Sequence, residues 1–125
     1  MGWQFRNYVS GRGVDEIEEW EDTLPVAAQA RLEWVLTVLK GVPRFARPYV
    51  GTRANFPDHY EIVVTSSGRE LRPLGCYGPG KDKQFTLLVG AEEKGGRLEP
   101  RQADSIADAR RKIVLTNPDR SRPRE

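Results

Sequence analysis

The stretch from Tyr60 to Val114 constrains the fold of this 125-residue chain more than any other part of its sequence. It contains three short apolar segments separated by two turn sequences that are rich in glycine, proline and serine. The apolar segments are residues 60–64, 71–77 and 85–89, and the turn sequences are residues 66–68 and 78–82. Short connections of this composition join neighbouring antiparallel strands. The stretch therefore predicts a three-strand meander, and an amphipathic helix is expected after it.

The flanking segments predict one more strand and two more helices. Side chains alternate between apolar and polar over residues 3–9, which is the pattern of a strand. Asp15 can cap a short helix, and Pro25 suits the first turn of a second helix. The three helices are expected at residues 15–22, 25–40 and 99–115. The buried stripe of the second helix is expected to be Ala28, Leu32, Val35, Leu36 and Leu39.

The predicted order of elements is β-α-α-β-β-β-α, which is an α+β fold. We expect a small, mostly antiparallel four-stranded sheet that packs against the N-terminal helix pair, with the C-terminal helix completing the domain. Pro73 has no backbone N–H, so its strand should be bulged there or lie at an edge. We assign residues 1–117 to one domain, and we expect the Arg- and Pro-rich residues 118–125 to form a flexible tail.

The cysteine and histidine content excludes several kinds of site. With one cysteine and one histidine, the chain can form no intramolecular disulfide, and we expect no structural zinc site. Cys76 and His59 could face each other as a nucleophilic pair, but a lone strand cysteine is more often a buried hydrophobe. No apolar run approaches the roughly 20 residues that cross a bilayer, and the N-terminus lacks a signal-peptide stretch. We therefore expect a cytoplasmic protein.

The charge is unevenly distributed along the chain. The net charge is +2, with −3 on the first 40 residues and +5 on the remaining 85. Six basic residues lie at or near the ends of the expected strands: Arg69, Arg72, Lys81, Lys83, Lys94 and Arg97. A small sheet with cations along one side suits a phosphate backbone. The glycines at 75, 78 and 80 fall in a hairpin, so they do not form the phosphate loop that precedes a helix in nucleotide-binding folds.

The connection over residues 43–57 interleaves arginines with aromatic rings. Its arginines are Arg44, Arg47 and Arg53, and its rings are Phe45, Tyr49 and Phe56. Such a pattern can hold nucleic acid by charge and stacking. The interpretation we favour is that the rings cover the edge of the core while the arginines stay solvated.

Several short motifs, taken in order, resemble the RelE superfamily of small bacterial toxins, and most closely its HigB-like, phage-related branch. Each motif is short and largely apolar, so the order and spacing carry the resemblance, most clearly over residues 59–114. The motifs are His59-Tyr60-Glu61-Ile62, Gly68-Arg69-Glu70-Leu71-Arg72, Leu87-Leu88-Val89-Gly90-Ala91, Glu93-Lys94, Glu99-Pro100 and Ala107-Asp108-Ala109-Arg110-Arg111.

This resemblance implies the toxin component of a type II toxin–antitoxin system. Such a toxin is a ribosome-dependent endoribonuclease that cuts mRNA and inhibits translation, without a metal or another cofactor. Its implied partners are a cognate helix-turn-helix antitoxin, the ribosome and mRNA. Arg72 matches an arginine of the middle strand and Lys94 matches one of a lysine pair. These two residues and Tyr77 are the expected catalytic residues, and the expected RNA-binding residues are Arg69, Lys81, Lys83 and Arg97.

The chain departs from the family pattern at positions that matter for cleavage. Val63 stands where the opening strand has an arginine, Val89 where a histidine is common, and Glu93 where the first lysine would be. An alternative is therefore a degenerate, phage-related binding module of the same fold, which binds a protein partner or RNA without cutting it. A metal-dependent nuclease would need a convergent carboxylate cluster, and the sequence offers none that we could identify.

Overall fold

The computed structural model describes residues 2–124, and it has three α-helices and ten β-strands in that range. The helices are α1 (Glu16–Asp22), α2 (Val26–Lys40) and α3 (Ala103–Thr116). The strands are β1 (Gln4–Tyr8), β2 (Val50–Arg53), β3 (Phe56–Ile62), β4 (Val64–Ser66), β5 (Arg69–Leu71), β6 (Leu74–Tyr77), β7 (Gln84–Val89), β8 (Glu92–Lys94), β9 (Arg97–Glu99) and β10 (Ser121–Pro123). The fold is therefore of the mixed α+β class, as predicted.

A six-stranded sheet forms the centre of the molecule, in the order β10-β1-β7-β6-β3-β2. All neighbouring strands are antiparallel except β1 and β7, which run parallel. The side chains of β7 show that both faces of the sheet are covered. Phe85 and Leu87 pack with α1 and α2, whereas Leu88 packs with α3. The helix pair thus lies on one face of the sheet and the C-terminal helix on the other.

The predicted single sheet of four strands is wrong, because the meander strands bend and continue into a second sheet. The first strand breaks at Val63, between β3 and β4, and the second breaks at Arg72-Pro73, between β5 and β6. The second sheet has the order β4-β5-β8-β9 and is antiparallel throughout. Pro73 cannot donate to a ladder, and the strand is interrupted at this point as its chemistry predicts.

The helix predictions are confirmed with small shifts at the ends. Asp15 caps α1, since its Oδ1 accepts hydrogen bonds from the backbone N–H of Ile17 at 3.1 Å and of Glu18 at 2.8 Å. The predicted buried stripe of α2 is buried at every position. Helix α3 begins at Ala103, three residues after Pro100, which was expected to open it.

The flexible tail predicted over residues 118–125 is also wrong for the part that the structure describes. Residues Pro118–Arg120 form a 3₁₀-helix, and β10 pairs antiparallel with β1. Arg124 forms ion pairs with Glu21 and Glu33, at the end of the described residues. The terminal position 125 lies outside them.

Candidate functional site

Three of the expected site cations, the catalytic candidate Lys94 and the RNA-binding candidates Arg69 and Arg97, lie together at one end of the second sheet. Arg69 pairs with Ser66 across β4 and β5, and Lys94 pairs with Arg97 across β8 and β9. Leu71 pairs with Glu92, so the same antiparallel register brings Arg69 beside Lys94. Neighbouring strands are about 4.8 Å apart. We call Arg69, Lys94 and Arg97 the basic row, because they extend across three adjacent strands on one face.

The basic row is only partly neutralised by the protein. Arg69 donates a hydrogen bond from Nη2 to Glu92 Oε1 at 2.6 Å. Within residues 2–124, the side chains of Lys94 and Arg97 are exposed and have no ion-pair or hydrogen-bond partner. Glu92 therefore offsets one of three charges, and two cations face solvent at the turn end of the sheet.

Arg72 lies away from the basic row and is held by the protein itself. Its guanidinium donates to the backbone oxygen of Leu71 at 2.8 Å and to Glu70 Oε1 at 3.1 Å, and it lies 3.7 Å from Glu93 Oε1. Only 12% of its side chain is exposed. Because successive residues of a strand face opposite sides, the contact with Glu93 puts Arg72 on the face away from Lys94. The structure therefore does not bring these two expected catalytic residues together.

Tyr77 lies in the other sheet, at the exposed margin of an aromatic cluster. Its ring centroid is 5.3 Å from those of Tyr60 and Phe85, 5.5 Å from that of Trp3 and 5.8 Å from that of Phe45. The residue is 39% exposed. Burial, and to a lesser extent Tyr60, raises the pKa of the Tyr77 phenol, so it stays protonated at neutral pH and can donate a hydrogen bond.

Lys81 and Lys83 lie in the connection between β6 and β7, near Tyr77 in sequence and at the same sheet end. Both side chains are exposed. Lys83 has a left-handed backbone conformation with φ of 49°, and its carbonyl accepts from the backbone N–H of Gln4 at 2.8 Å. The expected site residues thus form two separate groups, one in each sheet, and Arg72 belongs to neither exposed group.

A polar network that was not predicted from the sequence joins β2 and β3 to α3. Asp104 Oδ1 lies 2.8 Å from His59 Nε2, and Asp104 Oδ2 accepts from Arg53 Nη2 at 2.8 Å. Arg53 also donates from Nη1 to Glu61 Oε1 at 3.0 Å. Arg53, predicted to be a solvated loop residue, is therefore one arm of this network. Asp104 is 45 residues from His59 in the sequence, and no local pattern marks the pair.

The electrostatics of this network favour the charged forms of Arg53 and Asp104. Burial alone would raise the pKa of Asp104, but hydrogen bonds from Arg53 and His59 outweigh it and lower that pKa. The Asp104 hydrogen bond is the main cause that raises the pKa of Arg53. His59 is 1% exposed, so its imidazole cannot reach a substrate in solvent. The network ties the start of α3 to the sheet.

The aromatic residues of the 43–57 connection behave as we expected. Phe45 packs in the cluster around Tyr77, Tyr49 packs edge-on against Trp34 with centroids 6.0 Å apart, and Phe56 stacks on His59 at 5.2 Å. Arg44 and Arg47 are exposed. The rings therefore cover the core edge, and Arg53 is the exception among the arginines.

Cys76 is a buried hydrophobe, as the sequence favoured. It is 1% exposed, and burial raises the pKa of its thiol to about 12, although Arg111 acts in the opposite direction. At neutral pH it is a neutral thiol, so a Cys–His nucleophilic pair is not formed. Among residues 2–124 there is no group of three or more His, Cys, Asp or Glu side chains with the geometry to hold a metal ion.

Comparison with known proteins adds no assignment. No family model matches the chain. No curated protein and no solved structure matches it either. Among the described residues, none of the helices combines the length and apolar character needed to cross a bilayer.

Proposed function

We propose that the chain is a HigB-like member of the RelE superfamily and acts as the toxin of a type II toxin–antitoxin system. In this proposal it binds mRNA at the ribosome, in the cytoplasm, and inhibits translation until a helix-turn-helix antitoxin neutralises it. The basic row is the observation that carries the proposal. It places cations from three adjacent strands at an exposed sheet end, where a phosphate backbone can approach.

The order of elements gives supporting evidence. One strand, two helices, the strands β3, β6 and β7, and a final helix occur in the order that the resemblance implies, and the six remaining strands are additions to that order. Tyr77, in the six-stranded sheet, also supports the proposal. Its ring is partly exposed at the margin of an aromatic cluster and can stack on an unpaired base. A single-stranded RNA could use the basic row for its phosphates and Tyr77 for a base.

Cleavage would require further groups to act at the scissile phosphate. The 2′-hydroxyl must lose a proton as it attacks, the leaving 5′-oxygen must gain one, and cations must stabilise the charge that develops. Lys94 and Arg97 are exposed and could supply that charge. Tyr77 has a proton to donate but lies in the other sheet, and Arg72 would first have to leave Glu70 and Glu93.

A second candidate function is favoured by the ion pairs of Arg72. A protein of the same fold that binds RNA or a protein partner without cleaving it needs the basic row but not a free Arg72. Glu93 is one of the three residues that depart from the family pattern, and its carboxylate is one of the two that face the Arg72 guanidinium. This arrangement suits a module that lost cleavage and kept binding.

Growth and cleavage assays test the proposal and separate the two candidates. We expect expression of the wild-type chain to arrest growth, and the Lys94→Ala, Arg97→Ala double variant to restore it. Arg101→Ala is the matched control, because Arg101 is also exposed and lies outside the basic row. Unchanged growth with the wild-type chain, or equal arrest by the double variant, would contradict the toxin function.

Purified ribosomes carrying a defined mRNA then distinguish cutting from binding. New 5′ ends that vanish with Arg72→Ala would support the endoribonuclease. Saturable binding that leaves the mRNA intact, and that Arg72→Ala does not weaken, would support the non-cleaving module. Absence of both binding and cleavage would refute the endoribonuclease and the RNA-binding form of the second candidate.

A further inference from the structure

Three partly buried arginines surround Tyr8 and Ser121, which pair across β1 and β10 at one edge of the six-stranded sheet. The guanidinium carbon of Arg110, on α3, lies 4.6 Å from the centroid of the Tyr8 ring, and that of Arg120 lies 5.4 Å from the same centroid. Arg6 donates from Nε to Ser121 Oγ at 2.8 Å and from Nη2 to the Ser121 carbonyl at 2.7 Å. We call Arg6, Arg110 and Arg120 the arginine trio.

Neutral groups of the protein hold the arginine trio in place. Arg110 donates to a backbone oxygen of β7 at 2.8 Å. Arg120 donates to the backbone oxygen of the residue after β1 at 2.7 Å and to the Tyr8 hydroxyl at 2.6 Å. The remaining contact of Arg6 is with the side-chain oxygen of Gln4, at 2.7 Å. Within residues 2–124, no member of the trio forms an ion pair with a carboxylate.

The other partly buried arginines of residues 2–124 each face a carboxylate. They are Arg53, Arg69, Arg72, Arg111 and Arg124. Removal of a charged group from water is costly unless an opposite charge compensates it. Burial lowers the pKa of Arg6, whereas the hydrogen bond with Asp104 is the main cause that raises the pKa of Arg53. The trio therefore carries charge that the protein leaves without a counter-ion.

The trio also keeps N–H donors that an incoming anion can use. Nε and Nη2 of Arg110 and Nη1 of Arg120 have no protein partner, and among the described residues none of these three atoms is buried. Each terminal nitrogen of Arg6 uses one of its two N–H groups. The planar fork of a guanidinium matches the geometry of phosphate oxygens. Free donors and uncompensated charge thus coincide at one place on the surface.

We propose that the arginine trio is a binding site for a ligand with several phosphate groups, separate from the basic row. The three cations come from β1, α3 and the 3₁₀-helix, so their charges are spread over a surface and do not converge on one atom. Because carbonyls and the Tyr8 ring already fix the side chains, binding loses little side-chain entropy. A polynucleotide backbone and a free oligophosphate share the required chemistry. This inference does not depend on the proposed function.

Titration calorimetry at low salt with two probes, sodium tripolyphosphate and a short single-stranded RNA, tests the site. The full chain with Lys94→Ala and Arg97→Ala is the starting protein, so that the basic row contributes little. We expect at least one probe to bind, and Arg110→Gln to weaken that binding about tenfold. Binding of RNA alone would identify a polynucleotide backbone as the ligand, and binding of tripolyphosphate alone would identify a free phosphate compound. Arg122→Gln is the matched control, because Arg122 is exposed and follows Ser121 in β10, so it faces the other side of the sheet.

A carboxylate placed beside Arg120 gives a second test that leaves every contact of the trio intact. Gly11 is exposed, and a Cβ at this position would lie 3.8 Å from Arg120 Nη1, which is ordinary van der Waals contact. Gly11→Asp should therefore supply the missing counter-ion and weaken binding of the probe about tenfold. Gly11→Asn has nearly the same shape without the charge and should bind as the starting protein does.

Thermal unfolding verifies that each variant is folded, and the Gly11 pair decides the question if Arg110→Gln is not. Failure of both probes to bind the starting protein would overturn the proposal. Equal affinity of the Gly11→Asp and Gly11→Asn variants would overturn it as well, and so would a loss with Arg122→Gln as large as that with Arg110→Gln.

Discussion

The network around Asp104 gives the sharpest test of how this fold is held together. Asp104→Ala removes the acceptor shared by His59, which is 1% exposed, and Arg53, whose side chain is 27% exposed. A hydrogen bond to a charged group contributes about 1.5–3 kcal/mol, and breaking a buried pair costs about 3–5 kcal/mol. Because the Arg53 side chain retains some access to solvent, we expect a loss of about 3 kcal/mol in the free energy of unfolding.

Urea unfolding followed by tryptophan fluorescence measures this loss, and thermal unfolding should show a midpoint roughly 10 °C lower. Asp82→Ala is the matched control, because Asp82 is an exposed aspartate in the connection before β7. The Asp104 pKa is lowered in the folded protein, so its contribution is present above the ordinary aspartate pKa of 3.8 and is lost as pH falls below it. The gap between wild type and Asp104→Ala should therefore narrow in acid. A loss no larger than that of Asp82→Ala at pH 7 would refute the reasoning.

Three further predictions concern the other features. Cys76 should react with a thiol reagent at least about a thousandfold more slowly in the native protein than in urea, because the thiol is buried and its pKa is about 12. Labelling of the native protein as fast as in urea would contradict this. The Lys94→Ala, Arg97→Ala double variant should reduce the slope of log affinity for single-stranded RNA against log salt by about 1.4, and an unchanged slope would place the phosphates elsewhere. In an ultraviolet pH titration, the absorbance difference between wild type and Tyr77→Phe should have its midpoint above pH 10, which is the ordinary pKa of tyrosine. A midpoint at or below pH 10 would contradict the burial of the ring.

The features predicted correctly from sequence are those that local physics determines. The cap at Asp15, the buried stripe of α2 and the interruption at Pro73 each depend on residues within one or two turns of chain. The second sheet could not be foreseen in this way. The break at Val63 contains no glycine or proline. It is recognised only from the pairing of β4 with β5 and of β5 with β8 in the structure.

The C-terminal strand and the Asp104 network escaped prediction for the same physical reason. Arg122 and Arg124 look like a solvated basic tail until Asn7 and Glu21, over 100 residues away, are brought beside them. His59 looks like an ordinary strand residue until α3 brings Asp104 to within 2.8 Å. Local composition predicts only the typical environment of a residue. A contact with a residue that is distant in the sequence can place it in a different environment.

The charges of the second sheet bear on how tightly it can hold RNA. Its strands, together with Arg72, carry four cations and four carboxylates, so the sheet has no net charge. The carboxylates are Glu70, Glu92, Glu93 and Glu99. An uncharged region attracts a polyanion weakly at long range, and local contacts dominate once the chain is docked. The basic row can therefore orient a phosphate backbone but gives little affinity of its own. A protein with such a surface needs a second component to hold the RNA in place, and in the proposed function the ribosome supplies it.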